Sequence, residues 1–131
     1  MVVFEETFPS KIKSIVEFLT VFKEKYLEYL VDTPALRDRL EYVVMEAIDN
    51  AYEHGNRQDE NTSIRVQCWQ EEDLLTFSVL DEGEGFAGTI SESLPLLTDL
   101  NGRGLYSIQE FAHSVSFNDK GNMITITFKT R

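Results

Sequence analysis

Apolar and polar residues alternate along this chain in two rhythms, and each change of rhythm marks an element. Val2 to Phe8 is short, apolar and β-branched and ends at Pro9, which reads as a strand. Ile12, Ile15, Val16, Leu19, Phe22 and Tyr26 then recur at three and four residues, the stripe of an amphipathic helix, with Ser10 as its candidate cap. Asp32-Thr33-Pro34 stops that helix and starts another: a capping side chain, then proline at the first helical position. The second helix is expected from about Pro34 to His54, closed by Gly55. At about 100° per residue, Leu36, Leu40, Val43, Ala47 and Ala51 form its stripe. Asn50 and His54 fall within or beside that stripe, and Glu46 lies on its flank. A helix meant only to pack would keep leucines there, whereas this one turns polar over its last two turns while still facing inward.

Arg57 to Ser63 is a polar loop. Ile64, Val66 and Cys68 alternate with polar neighbours, Glu71-Glu72-Asp73 reads as a hairpin turn, and Leu75, Phe77 and Val79 alternate again. Asp81 continues that parity, which places a carboxylate on the apolar face, where it needs a partner. Ala87 to Leu100 is loop-like, a candidate lid with a short helix around Leu94–Leu97. Gly104 begins a third helix with Leu105, Ile108, Phe111 and Ala112 inward. Val115–Phe117 and Ile124–Phe128 are strands joined by Asn118-Asp119-Lys120-Gly121-Asn122, a strong hairpin signal. Strands that come mostly as hairpins imply an α+β fold, a two-layer sandwich with helices on one face of a mixed, mainly antiparallel sheet. At 131 residues the chain is expected to form a single domain over 1–131.

Charge narrows the function. Twelve basic against 23 acidic residues give a net charge of −11, which argues against nucleic-acid binding. Any phosphate site must then be local, made of backbone N–H groups, a helix end or a metal ion. No apolar run approaches the roughly 20 residues of a membrane helix. The N-terminus lacks the basic region of a signal peptide. A single cysteine, Cys68, fits a reducing compartment, so the expectation is a cytoplasmic protein.

Three segments carry candidate chemistry. In the first, Glu46 and Asn50 are one helical turn apart and can reach one site. A carboxylate can accept a proton from a nucleophile, and an amide oxygen is a hard ligand for Mg²⁺. His54, one turn on, could reach a phosphate oxygen. A solvated helix end with a histidine suited to the helix dipole explains the same stretch. In the second, Asp81-Glu-Gly83-Glu-Gly85, glycines two apart let a backbone approach a ligand, although a strand-ending turn would read the same way. A calcium loop counted from Asp81 fails, because its fifth and sixth positions are Gly85 and Phe86. In the third, Gly102-Arg103-Gly104-Leu105 precedes a helix, whose N-terminal N–H groups bind anions, or acts as a hinge.

Taken in order, the three segments resemble the GHKL superfamily of ATPases, which includes gyrase, the heat-shock chaperone and the sensor histidine kinases. Glu46-x-x-x-Asn50-Ala51-x-x-His54 is similar to its N-box, Asp81-x-Gly83-x-Gly85-Phe86 to its first glycine box, and Gly102-x-Gly104-Leu105 to its second. The likeness covers nearly the whole chain and implies the Bergerat fold. Within the superfamily the chain is most similar to the small anti-sigma-factor serine kinases of bacteria. That resemblance implies a serine/threonine kinase that binds ATP with Mg²⁺. It also implies a sigma factor and a small anti-anti-sigma (STAS-type) protein as partners, and a homodimer. By the same resemblance Asp81 would bond the adenine amine, Asn50 would hold Mg²⁺, and Glu46 would be the general base. Gly83 and Gly85 would let the backbone pass the nucleotide, Gly102, Arg103, Gly104 and Leu105 would cradle phosphates, and His54 would contact phosphate. An ATP/ADP-dependent binding regulator without kinase activity is the alternative, and simple ATP hydrolysis within an assembly a third reading.

Overall fold

The computed structural model describes residues 1–83 and 104–130. Its elements follow the expected order. Strand β1 is Val2–Pro9, and helix α1, Ile12–Val21, continues through a π-helical stretch, Phe22–Leu27, into α2, Glu28–Leu30. Helix α3, Pro34–Asn50, continues through a second π-helical stretch, Ala51–Gly55. Strands β2, Ser63–Glu71, and β3, Leu74–Leu80, form a hairpin, and α4, Gly104–Phe111, leads to the hairpin of β4, Ser114–Phe117, and β5, Met123–Lys129. The expected lid with its short helix, like Gly85, Gly102 and Arg103, lies outside the described residues.

The strands form one sheet in the order β1-β2-β3-β5-β4. The sheet expected to be mixed is antiparallel at all four described pairings. Inward parity is as read for β2 and β3: Ile64, Val66, Cys68, Leu75, Phe77 and Val79 are buried, and β5 adds Ile124, Ile126 and Phe128. Helices cover this face. Leu40, Val43, Val44, Ala47, Ile48 and Ala51 of the α3 helix are buried against it, and Phe22 packs edge-on to Phe77 at 5.9 Å between ring centres. The opposite face is polar, where Ser78 and Thr125 share a hydrogen bond at 3.2 Å.

Thr33 caps α3 by accepting the Leu36 N–H at 3.4 Å, with Pro34 at the first position, as the sequence signals. Three expectations need correction. Lys11, not Ser10, is the N-cap of α1, and no side chain caps it, because Ser10 is fully buried and engaged elsewhere. Ile12 and Val16 are 64% and 54% exposed, so the inward stripe of α1 runs instead through Ile15, Phe18, Leu19 and Phe22. Phe111 is 39% exposed; its ring stands edge-on to Tyr42 at 5.6 Å, with the Arg39 guanidinium over it at 5.8 Å. In both cases a periodic apolar pattern extends one row wider than the face the sheet can cover. Among the described residues no helix is long and apolar enough to cross a membrane.

Candidate nucleotide site

The site forms where the end of the α3 helix meets the end of β3. The helix widens in its last turn: the Asn56 N–H reaches back five residues to the Ala51 carbonyl at 2.7 Å. Gly55 does not adopt the left-handed backbone that usually closes a helix. That reversal falls on Arg57 and Gln58, with φ of 52° and 61°. Glycine is required at 55 for a different reason. A Cβ there would lie 2.7 Å from Asp81 Oδ1 and nearer still to Oδ2. Gly83 in turn sits over the Gly55 peptide, and a Cβ there would lie 2.7 Å from the Gly55 carbonyl carbon. The two glycines let the first and second candidate segments touch.

Asp81 is half-buried, as its parity implied. Its Oδ1 accepts the Gly83 N–H at 2.8 Å. Burial pushes its carboxyl above the usual range, opposed by the Gly83 N–H and by the charge of Lys120. Its backbone is clamped by the β4–β5 hairpin: Asp81 N–H donates to the Asn122 carbonyl at 2.9 Å, and Asn122 Nδ2 donates to the Asp81 carbonyl at 3.2 Å. Asn118 organises that hairpin. Its Oδ1 accepts the N–H groups of Gly121, Asn122 and Met123 at 2.8, 3.0 and 3.1 Å, with Gly121 at a φ of 83°.

On the helix, Glu46 and Asn50 are both half-buried and one turn apart. Burial, then the charges of Asp49 and Glu53, raise the Glu46 carboxyl. Burial, then Glu53, raise that of Asp49. Neither Glu46 nor the Asn50 amide makes a hydrogen bond to another described residue. A half-buried amide oxygen with no bond to another described residue suits a hard cation. No group of three or more His, Cys, Asp or Glu among the described residues could hold a metal alone. That donor set fits Mg²⁺, which keeps waters and takes its other ligands from phosphates. His54 is exposed and lies 3.7 Å from Glu53, its sequence neighbour. It lies in the π-helical stretch and is exposed, not on the buried stripe of the helix. Gly104 is the first residue of α4, as expected.

Two residues absent from the sequence reading belong here. Asn56 is buried between four segments: its Nδ2 donates to Ser10 Oγ at 2.5 Å and to the Ser63 carbonyl at 2.9 Å, and its Oδ1 accepts the Glu82 N–H at 2.7 Å. The Glu82 carboxylate accepts the Ser63 N–H. A polar residue just past a helix end reads as loop, and no local pattern distinguishes it.

The histidine kinase-like ATPase domain family matches residues 8–128. The chain belongs to that family. An ATPase domain implies ATP binding. The chain is 30% identical over 95 residues to the "Anti-sigma F factor" of Lysinibacillus sphaericus, a match spanning 66% of this chain and 65% of that protein. It is 25% identical over 118 residues to the "Anti-sigma F factor" of Oceanobacillus iheyensis, spanning 84% of this chain and 81% of the relative. Among solved structures, the histidine kinase AdeS of Acinetobacter baumannii shares the fold, with a TM-score of 0.54 at 19% identity over 100% of this chain and 70% of that one. In this histidine kinase-like ATPase domain the end of the helix that bears Glu46 and Asn50 meets the Asp81–Gly83 turn at Gly55.

Proposed function

We propose that the protein is an ATP-dependent serine/threonine kinase that acts as an anti-sigma factor, sequestering a sigma factor and phosphorylating a small anti-anti-sigma protein. The observation that carries the nucleotide reading is the contact of Gly55 with Asp81. It sets a half-buried carboxylate against the same helix that bears Glu46 and Asn50. The partner classes rest on the two relatives named anti-sigma F factors.

In this reading Asp81 accepts a hydrogen bond from the exocyclic amine of adenine. The bare backbone at Gly55 and Gly83 leaves room for the carboxylate and the nucleotide. Asn50 would hold Mg²⁺, which supplies charge neutralisation on the phosphates when bound. Glu46 removes the proton from the incoming hydroxyl as its oxygen bonds the γ-phosphorus and the bond to the β-phosphate oxygen breaks. Its raised basicity suits that work, since a general base performs best with a pKa near the working pH. Gly85, Gly102, Arg103, Gly104 and Leu105 would line the phosphate side, and a second copy of the chain would complete a dimer.

The test is transfer of labelled γ-phosphate from ATP to candidate anti-anti-sigma proteins, with Mg²⁺ and with chelator. Transfer that needs Mg²⁺ supports the kinase. Nucleotide-dependent partner binding without transfer would leave the binding regulator as the function.

A further inference from the structure

We infer that Asn56 is a positioning residue for base recognition, holding the Asp81–Gly83 turn so that the Asp81 carboxylate is presented to the nucleotide. The inference rests on the reading of Asp81 as the base-binding group.

Asn56 is 4% exposed and follows directly on the widened helical turn. Its own N–H is tied to the Ala51 carbonyl, so the helix end fixes where its side chain starts. The amide has one orientation open to it. The Glu82 N–H can only donate and the Ser63 carbonyl can only accept, so Oδ1 faces Glu82 and Nδ2 faces Ser63. The second Nδ2 hydrogen goes to Ser10 Oγ, which is fully buried. Both donors are used, and no other side chain of this size supplies two donors and an acceptor in one plane.

The Glu82 peptide is the lever. It sits between Asp81 and Gly83, whose mutual hydrogen bond orients the carboxylate. The β4–β5 hairpin secures the near side of this turn, through the N–H and carbonyl of Asp81. Among the described residues, the far side is held by Asn56, which accepts the Glu82 N–H, and by the Ser63 N–H, which donates to the Glu82 carboxylate. The Asp81–Glu82 peptide is held on its carbonyl side by Asn122 Nδ2 and on its N–H side by Asn56 Oδ1. Loss of the second hold lets it tilt about the first, so the Gly83 N–H shifts and the carboxylate follows it. The near clamp fixes where Asp81 is, and Asn56 fixes which way its carboxylate points.

A double-mutant cycle in the full chain tests this, with ATP–Mg²⁺ affinity read by titration calorimetry well below the melting temperature. Asn56→Ala should weaken ATP by about tenfold in the natural background. In the Asp81→Asn background it should cost about twofold or less, because the turn then presents no carboxylate. An equal loss in both backgrounds, or none in the first, overturns the inference and makes Asn56 a structural brace only. Unchanged affinity in Asp81→Asn alone sinks the reading of Asp81 and this inference with it, so the two failures are distinguishable. If Asn56→Ala does not fold, Ser10→Ala, which strips one partner from the Asn56 amide, should weaken ATP about threefold in the natural background and not in Asp81→Asn. Equal losses there overturn the inference as well.

Discussion

The backbone of Gly55 lies so close to the carboxylate of Asp81 that a Cβ at 55 would fall 2.7 Å from Oδ1 and nearer to Oδ2. The obstacle is the tip of a side chain, which can swing aside. Gly55→Ala should therefore leave stability within about 1 kcal/mol and weaken ATP by at least about tenfold. Gly83→Ala presses instead on the Gly55 carbonyl, which is backbone and cannot yield. It should cost about 2 kcal/mol in stability. Urea unfolding and ATP titration of both variants check the contrast; equal stability losses would contradict it.

Asp81 gives a stability signature in pH. Its folded carboxyl is raised, mainly by burial, so the unfolded chain ionises more readily than the folded one. The protonated form therefore favours the fold. That contribution is complete below the ordinary carboxylate range and is lost as pH rises through the raised folded value. Asp81→Asn should melt higher than the natural protein at neutral pH. The difference should shrink as pH falls through the raised pKa and vanish once Asp81 is protonated in both states. A melting curve series across pH checks this, and a gain that grows on acidification would refute it.

Glu46 allows a cleaner separation of binding from chemistry. Glu46→Gln keeps the shape and removes the base, so ATP affinity should hold within about threefold while transfer falls by 10²-fold or more, roughly the usual contribution of a general base. Because burial and two acidic neighbours raise this carboxyl, transfer by the natural protein should fail on acidification at a higher pH than an unperturbed glutamate would impose. The acidic limb of the pH–rate profile measures it. A limb in the ordinary glutamate range would remove Glu46 from that role.

The Asn118 carboxamide oxygen takes three backbone N–H groups at the tip of the β4–β5 hairpin. Asn118→Ala should cost about 2 kcal/mol by urea unfolding, since those donors lose their acceptor together. It should also loosen Asn122 and hence the backbone of Asp81, so a modest loss of ATP affinity is expected beside it.

Much of the fold was legible because its signals are local. Thr33-Pro34, the alternation through Ile64–Cys68 and Leu75–Val79, and the Asn118–Asn122 turn each act over a few residues, and each appears where expected. The inward parity of Asp81 was likewise readable from β3. What failed depends on contacts distant in sequence. Gly55 was read as a helix stop, but its missing side chain answers to Asp81, 26 residues on. Ser10 was read as a cap and is instead the buried partner of Asn56. His54 was placed beside the buried stripe by a uniform helical angle, but it sits in a π-helical stretch and is exposed. No periodicity of three and four residues can reveal a turn of five.

That widened turn also gives the site a length tolerance. A π turn accommodates one residue more than an α turn between the same two ends. Deleting Tyr52 or Glu53 should therefore close the wide turn to an α turn and keep Gly55 against Asp81. A second deletion has no slack to draw on; it would turn everything after it by about 100° and carry the glycine off Asp81.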